Sequence, residues 1–474
     1  MKIVFYSTTA SAFEEGAFSF FTWPRRADVW SCLHERYPEH EFYIVTQKPA
    51  CFLLDGEDPV TFLHRERITV LPDTASVEDV ACAIFNTGAL LAISCTGWAP
   101  PLDWLGVQDA LVAEKLSAHG MRVMCHQLQT ALDFFDKRRT HEVLSQAGFL
   151  LPKAVYVHHE LYWCERSHHE LIRNVYKEAV LRAIQRLQYP VVIKDTAGLS
   201  SYSMEVAVSY KQALSYLNSG RTRCDRIVEE YIAGDQAGVE LYVPPALAES
   251  GEMCASAEGG KRSLQAAYVF SPLLFSLNRY GITSPKQSVK LGGVEGMKNR
   301  ARYHIDELES LVKKLSALAH FSGGAQIDLV HSEQADEHGR HWYIIEVNPR
   351  LSGMSETYAA SVQKSALELL LRTALSLPLT DSKKEADKVL NIKLPLLDAA
   401  QLAAVCAEPC VRYVHQICNT QAKQEREKGY CELVLCAPTY EVLTASLAAF
   451  TARYGSCMES AFVKNAHALF SKLV

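Results

Sequence analysis

The chain has 474 residues, 48 Lys+Arg against 54 Asp+Glu for a formal charge of −6, and is 48% apolar. That balance excludes disorder and gives no electrostatic reason to seek nucleic acid or an anionic membrane, so neither is expected as a partner. The length implies roughly three folding units of ordinary size, and no repeat or low-complexity segment interrupts them.

The first stretch, Lys2–Ser7, alternates and is β-branched or aromatic, which predicts an opening strand. No signal-peptide apolar core precedes Glu14. The longest uncharged run, 80–102, contains Asn86, Gly88, Gly97, Pro100 and Pro101, and reads as a buried strand with flanking loops rather than a membrane span. A cytoplasmic protein is expected. Its 14 cysteines include no CxxC pair, so free thiols are the expectation, and neither Cys406/Cys410 nor Cys431/Cys436 has a zinc spacing.

Helices are predicted over 27–36, 76–85 and 105–119, with strands at 42–47, 68–71, 89–94 and 121–126. Strands alternating with helices predict a parallel α/β sheet over 1–126, and the absence of GxGxxG there removes a dinucleotide-binding reading. Helical spacing then runs from Thr130 to a stop at Gly148. A strand at 153–157, a long polar helix over 167–187 and a buried strand at 189–195 follow, then the small-residue loop 197–203 and a strand at 204–208. Ser209 and Gln212 predict a capping box for the helix that ends at Gly220. The run IVEEYIAGDQAGVELYV reads as two strands joined around Gly234.

A polar excursion over 250–263, a strand at 266–270, a Gly- and Lys-rich loop over 278–296 and a helix over 305–320 come next. Strands at 324–331 and 341–350 flank a charged turn. The segment 380–388 reads as a linker to strands at 389–397, 411–418 and 431–438 and a helix over 440–454. The expected division is 1–126, 127–379 with a lid at about 187–245, and a small α+β unit over 380–474.

Chemistry-bearing residues stand in a fixed order: Asp136-Lys137, Lys194 at the end of a buried strand, Asp328, then Glu346-Val347-Asn348. Two ammonium groups can neutralise phosphate oxygens, and hard oxygen ligands can hold magnesium across them. Strand alternation puts Glu346 and Asn348 on one face. Glu346 lies between Ile345 and Val347, and a buried acid there needs a partner. The His-rich stretch 158–170 offers no tidy tetrahedral set and reads as a solvated helix start. Lys286 and Lys290 read as surface charges or as parts of a lid.

The order DK, PVVIKD, small loop, VEEYIAG, QIDLV and IIEVNPRLSG resembles the ATP-grasp superfamily from about 130 to 374. The resemblance implies an ATP-grasp fold behind a parallel α/β unit. It implies that Lys137 and Lys194 contact ATP phosphates and that the 197–203 loop, with Gly198, Ser200 and Ser201, closes over them. Glu229, Glu230, Tyr231 and Ile232 would line the adenine slot, and Asp328, Glu346 and Asn348 would bind magnesium or manganese. Where the family often has a Glu for the ribose, this chain has Gln236, with Glu240 four residues on. The NPR-x-SG stretch resembles the carboxylate–amine ligase branch, including dipeptide ligases. There Arg350 would hold the carboxylate and its acyl phosphate, beside Ser352 and Gly353.

The implied activity is ATP-dependent joining of a carboxylate to an amine, on amino-acid-like molecules, through an acyl phosphate; the partners are those small molecules and ATP, and a homodimer is one assembly it allows. The alternatives are transfer of the acyl phosphate to another acceptor, a phosphotransferase, and a nucleotide-binding module without turnover.

Overall fold

A computed structural model describes residues 1–8, 18–48, 52–56, 58–95, 97, 105–164, 173–197, 204–219, 223–245, 267–276, 289–293, 297–380, 386–419, 429–458 and 460–473. The first six strands are β1 (Lys2–Ser7), β2 (Phe18–Trp23), β3 (Glu41–Gln47), β4 (Ile68–Leu71), β5 (Leu91–Ser94) and β6 (Arg122–Met124). All but β2 form the expected parallel sheet, in the order β4-β3-β1-β5-β6. Helices Arg26–Arg36, Val77–Asn86 and Leu105–Ala118 supply the crossovers. Because helices cover both faces, successive residues of β1 enter opposite cores: Ile3 and Phe5 one, Val4 and Tyr6 the other. The uncharged run resolves into the helix Val77–Asn86 and the strand β5, and no helix among the described residues is long and apolar enough to cross a membrane. The twelve described cysteines are all free.

Helical spacing after Thr130 conceals a break. Helices Leu128–Phe135 and Lys137–Gln146 are separated at Asp136, whose backbone is extended and whose carboxylate accepts from the Arg139 N–H at 3.0 Å. The polar helix begins later than expected, at Val175, where the Asn174 side chain caps it. Ser209 caps Tyr210–Leu217, but the box is only half made. The Gln212 side-chain oxygen accepts from the Val208 N–H at 2.9 Å instead of closing on Ser209.

β7 (Ala154–Val157), β8 (Val191–Asp195), β9 (Glu205–Ala207) and β10 (Arg226–Glu230) form an antiparallel sheet in the order β7-β10-β8-β9. Val191, Ile193 and Val228 point into its own core with Val180, Ile184 and Leu217 of the two helices. Lys194 and Glu229 therefore lie on the opposite face. Residues Tyr231 to Gly234 lead out of this sheet, and a Cβ at Gly234 would collide with the His331 carbonyl. Glycine is required there by close backbone approach.

The remaining strands are β11 (Asp235–Val243), β12 (Tyr268–Val269), β13 (Leu273–Phe275), β14 (Lys290–Gly292), β15 (Gly323–His331), β16 (Trp342–Asn348), β17 (Lys388–Leu394), β18 (Val411–Asn419) and β19 (Gly429–Ala437). They form one ten-stranded sheet in the order β16-β15-β11-β13-β14-β17-β19-β18-β2, with β12 on β11. The strand expected at 266–270 is only the two residues of β12, and β13 beyond it was not expected. The three C-terminal strands continue this sheet through β14, and β2, which sequence reasoning missed, closes its far edge against β18. Helix Ile305–Ala319 presents Ile305, Leu308, Val312, Leu315 and Ala319 to one face of it. Helices Ser355–Ser361 and Ala366–Ala374 share a core with the parallel sheet.

Arg26 ties that core together. It bonds Asp55 at 2.9 Å and Glu356 at 2.8 Å from a site where all three side chains are largely buried. Removing the guanidinium leaves two acids buried without their cation. Arg26→Ala should therefore destabilise the fold by about 3–5 kcal/mol, read as a shift of the chemical denaturation midpoint; an unchanged midpoint would show that neither acid depends on Arg26.

Candidate active site

Strict alternation along β16 would have placed Glu346 in the apolar core, because Trp342 and Ile344 both point there. A β-bulge prevents it. Asp328 pairs with Glu346 while Leu329 pairs with Ile344, so Ile345 is an extra residue. Beyond it Val347 returns to the core, and Glu346 and Asn348 emerge together on the opposite face. The sequence expectation that they share a face holds, but through a bulge that the residues alone did not announce.

Gln326 and Asp328 alternate on β15 between the core residues Ala325, Ile327 and Leu329. Asp328 thus stands directly across from Glu346, and Gln326 across from Asn348. Gln326 spans the set: its amide nitrogen donates to Asp328 at 2.5 Å and its oxygen accepts from Asn348 at 2.8 Å. It was missed in the sequence, although the spacing that pairs Glu346 with Asn348 also pairs Gln326 with Asp328.

Cations surround the two acids. Lys137 begins its helix just past the Asp136 break, and its backbone N–H donates to the Thr196 carbonyl at 2.8 Å, joining that helix start to the end of β8. Its ammonium lies 3.0 Å from Glu346. Lys194 bonds Glu229 at 2.6 Å, both side chains nearly buried. Arg350 donates to the Asn348 side-chain oxygen and to the Leu351 carbonyl, each at 3.1 Å.

Burial pushes the Asp328 carboxyl up to about 7, and the facing Glu346 adds to the rise; the Gln326 hydrogen bond, Arg350 and Lys194 offset only part of it. Burial also works against the charge on Glu346, but Lys137 and then Lys194 outweigh it and hold that carboxyl below its usual range. Near neutral pH the pair therefore has one firmly ionised acid and one that shares its oxygens with a proton. A hard divalent cation would replace that proton, and the oxygen donors of Asp328, Glu346 and Asn348 fit such an ion.

Other expected residues stand differently. Glu229 faces Lys194, and Glu230 accepts from the Gln188 N–H at 2.9 Å. Tyr231 and Ile232 are half-buried at the exit of the small sheet, where the Tyr231 N–H donates to the Pro190 carbonyl. Gln236 and Glu240 alternate on β11, but Glu240 is wholly buried, bonded by the Ser355 hydroxyl and pushed up to about 8 by burial. The Ser352 hydroxyl accepts from the Met354 N–H at 3.0 Å, and Gly353 is exposed in the same turn. Gly198, Ser200, Ser201 and Lys286 lie outside the described residues.

Lys290 is neither a surface charge nor part of a lid. It is a buried residue of β14, paired with Asn391 of β17. Burial, and secondly Lys393, lower its ammonium to about 8, with Glu432 and Asp328 opposing. Lys393 lies 3.3 Å from Glu432, to which Asn391 also donates at 2.6 Å. A polar band thus continues across the sheet from Asp328 into the C-terminal strands. Nothing in the spacing of these residues signals their meeting.

No protein-family model matches the chain, and no curated protein matches it. Solved structures do. An N5-carboxyaminoimidazole ribonucleotide synthetase from Thermus thermophilus is 12% identical, with 97% of this chain and 99% of that one covered at a TM-score of 0.58. An L-amino acid ligase from Bacillus licheniformis is 16% identical over 94% and 95%, at 0.57. The biotin carboxylase domain of Hydrogenobacter thermophilus 2-oxoglutarate carboxylase is 13% identical over 94% and 88%, at 0.54. Identities this low establish the fold, and it is the ATP-grasp fold anticipated from the motifs.

Because Lys194 neutralises Glu229, its loss should be felt in stability as well as in nucleotide affinity. Lys194→Met alone should cost about 3–5 kcal/mol. Adding Glu229→Gln should restore most of that while affinity for a non-hydrolysable ATP analogue, read by calorimetric titration, stays low. Wild-type affinity in the folded double variant would remove Lys194 from the phosphate site.

Proposed function

We propose that this chain is an ATP-dependent ligase that joins a carboxylate to an amine, releasing ADP and phosphate, on amino-acid-like substrates. One observation carries the reading: Asp328 and Glu346 face each other across adjacent strands, beside Gln326 and Asn348, with Lys137, Lys194 and Arg350 brought to the same place. Supporting it, the Hydrogenobacter neighbour was solved with MgADP and bicarbonate, and the Bacillus neighbour is an L-amino acid ligase.

In this reading a carboxylate oxygen of the first substrate attacks the γ-phosphorus of ATP, and ADP leaves. The amine then attacks the acyl carbon, the C–N bond forms and inorganic phosphate departs. Magnesium or manganese, when bound, neutralises phosphate charge and aligns it. Lys137 and Lys194, now on Glu346 and Glu229, would turn to phosphate oxygens on loading, and Asp328, Glu346 and Asn348 would hold the metal through their oxygens. Arg350 holds the carboxylate and then the acyl phosphate with a planar fork of donors. The buried band of Lys290, Asn391, Lys393 and Glu432 extends the polar face beyond Asp328 into the C-terminal strands, where this reading puts the substrates.

The same proposal includes a cytoplasmic location, a homodimer and units over 1–126, 127–379 and 380–474. We draw the lid at the four-stranded sheet, 154–230, rather than at 187–245, because β11 belongs to the ten-stranded sheet.

Phosphate release with mixtures of amino acids, followed by mass spectrometry of the products, tests the reading. A condensed amide is the expected product; phosphate release only with a hydroxyl or other non-amine acceptor, or none at all, would overturn it. Arg350→Lys should bind ATP normally yet lose about 2–4 kcal/mol of transition-state stabilisation, as when one oxyanion donor is deleted, and it should leak ATP hydrolysis. Wild-type yield from that variant at limiting carboxylate would show that another group holds the substrate.

A further inference from the structure

On the other face of the ten-stranded sheet, away from Asp328, three histidines from distant parts of the chain converge. His331 ends β15 on the side of Ala325, Ile327 and Leu329, and is buried against Tyr303 and Trp342. His341 directly precedes β16. His304 caps the helix Ile305–Ala319 from a left-handed backbone, φ 47° and ψ 49°, that L side chains rarely adopt. One ring nitrogen from each of the three lies within 4.8 Å of the others.

We propose that His304, His331 and His341 form a site for one divalent transition-metal ion of the zinc type, separate from the candidate ATP site and independent of the function assigned to it. Two features support this. First, His304 Nδ1 and His331 Nε2 are already 3.0 Å apart. At Zn–N bonds of about 2.0–2.1 Å, tetrahedral ligands stand roughly 3.3–3.4 Å from one another, so this pair already stands near ligand spacing. Second, His341 Nδ1 lies 2.9 Å from the Ser332 carbonyl, to which it must donate. That fixes the tautomer and leaves the Nε2 lone pair for a ligand, the outer hydrogen bond that metal-bound histidines usually make.

The rings of His304 and His341 now lie face to face, 3.7 Å apart and 8° from parallel. Two imidazoles cannot aim in-plane lone pairs at one ion from that stack. Binding therefore requires the His304 ring to turn about its χ2 while His341 keeps its bond to the Ser332 carbonyl. Arg302 lies nearby and opposes a cation, while Asp235, the cross-strand partner of His331, favours one although it also bonds Tyr303 and Lys472. A bound ion would pin the helix start to the sheet edge, leaving the fourth position to water.

The test uses chelator-treated full-length protein titrated separately with zinc and cobalt(II). Expected are one tight equivalent of zinc, a raised thermal midpoint, and a visible cobalt spectrum without a thiolate charge-transfer band. His341→Ala and His304→Asn (Asn tolerates the left-handed backbone) should each weaken affinity by about tenfold or more with unchanged circular dichroism. If His304→Asn does not fold, His341→Ala alone decides. Absence of stoichiometric binding by the native chain, a thiolate band, or native affinity in the folded variants would overturn the proposal and leave a stacked histidine trio.

Discussion

Everything at the candidate active site depends on two carboxylates that oppose one another on neighbouring strands. Asp328 and Glu346, half-buried and face to face, could not both be charged without compensation. The compensation comes from elsewhere in the chain: Lys137 from a helix start, Lys194 from the small sheet, Arg350 from beyond the end of β16. The acids thus give three separate elements a common point of electrostatic attachment. They also explain the break at Asp136. A continuous helix would aim Lys137 elsewhere, whereas the restart, fixed by the Thr196 carbonyl, turns it toward β16.

Much of this was legible in the residues because the relevant signals are local. The alternation of β1 and β3, the apolar spacing of Ile305–Ala319 and the order of the lysines and acids each lie within a short window. What escaped reading was non-local or a matter of one residue's register. The extra residue Ile345 leaves no compositional mark, since Ile-Ile-Glu-Val-Asn suits a regular strand equally well. Lys290 sits in a Gly- and Lys-rich stretch that reads as solvated, yet its strand lies between β13 and β17, two partners that local sequence cannot name. The mutual approach of His304, His331 and His341 is invisible for the same reason. The Gln212 side chain shows the smaller version of the problem: the residue types of a capping box were present, but the glutamine oxygen had a second N–H within reach and took it.

The two sheets divide the work. The four-stranded sheet has its own core and reaches the large sheet through a short connection at Tyr231 to Gly234, where a side chain at Gly234 cannot fit. Lys194 and Glu229 face away from that core, so any movement of the small sheet carries a lysine toward or away from acids that stay on the large one. The polar band through Lys290 to Glu432 extends that coupling to strands that follow the nominal end of the central unit.

β2 sets a condition on how this molecule can be made. Its Thr22 hydroxyl meets His415, 393 residues later, and the strand has no place in the parallel sheet formed by its immediate neighbours. During synthesis Phe18–Trp23, an apolar and aromatic segment, must wait for its partner until Val411–Asn419 has been made. Its neighbours can settle long before, so a nascent chain carries an unpaired, adhesive edge beside an otherwise finished unit. β18 is then not an appendage but the lock on β2, and a ribosome that stops short of β18 releases a product with that edge open.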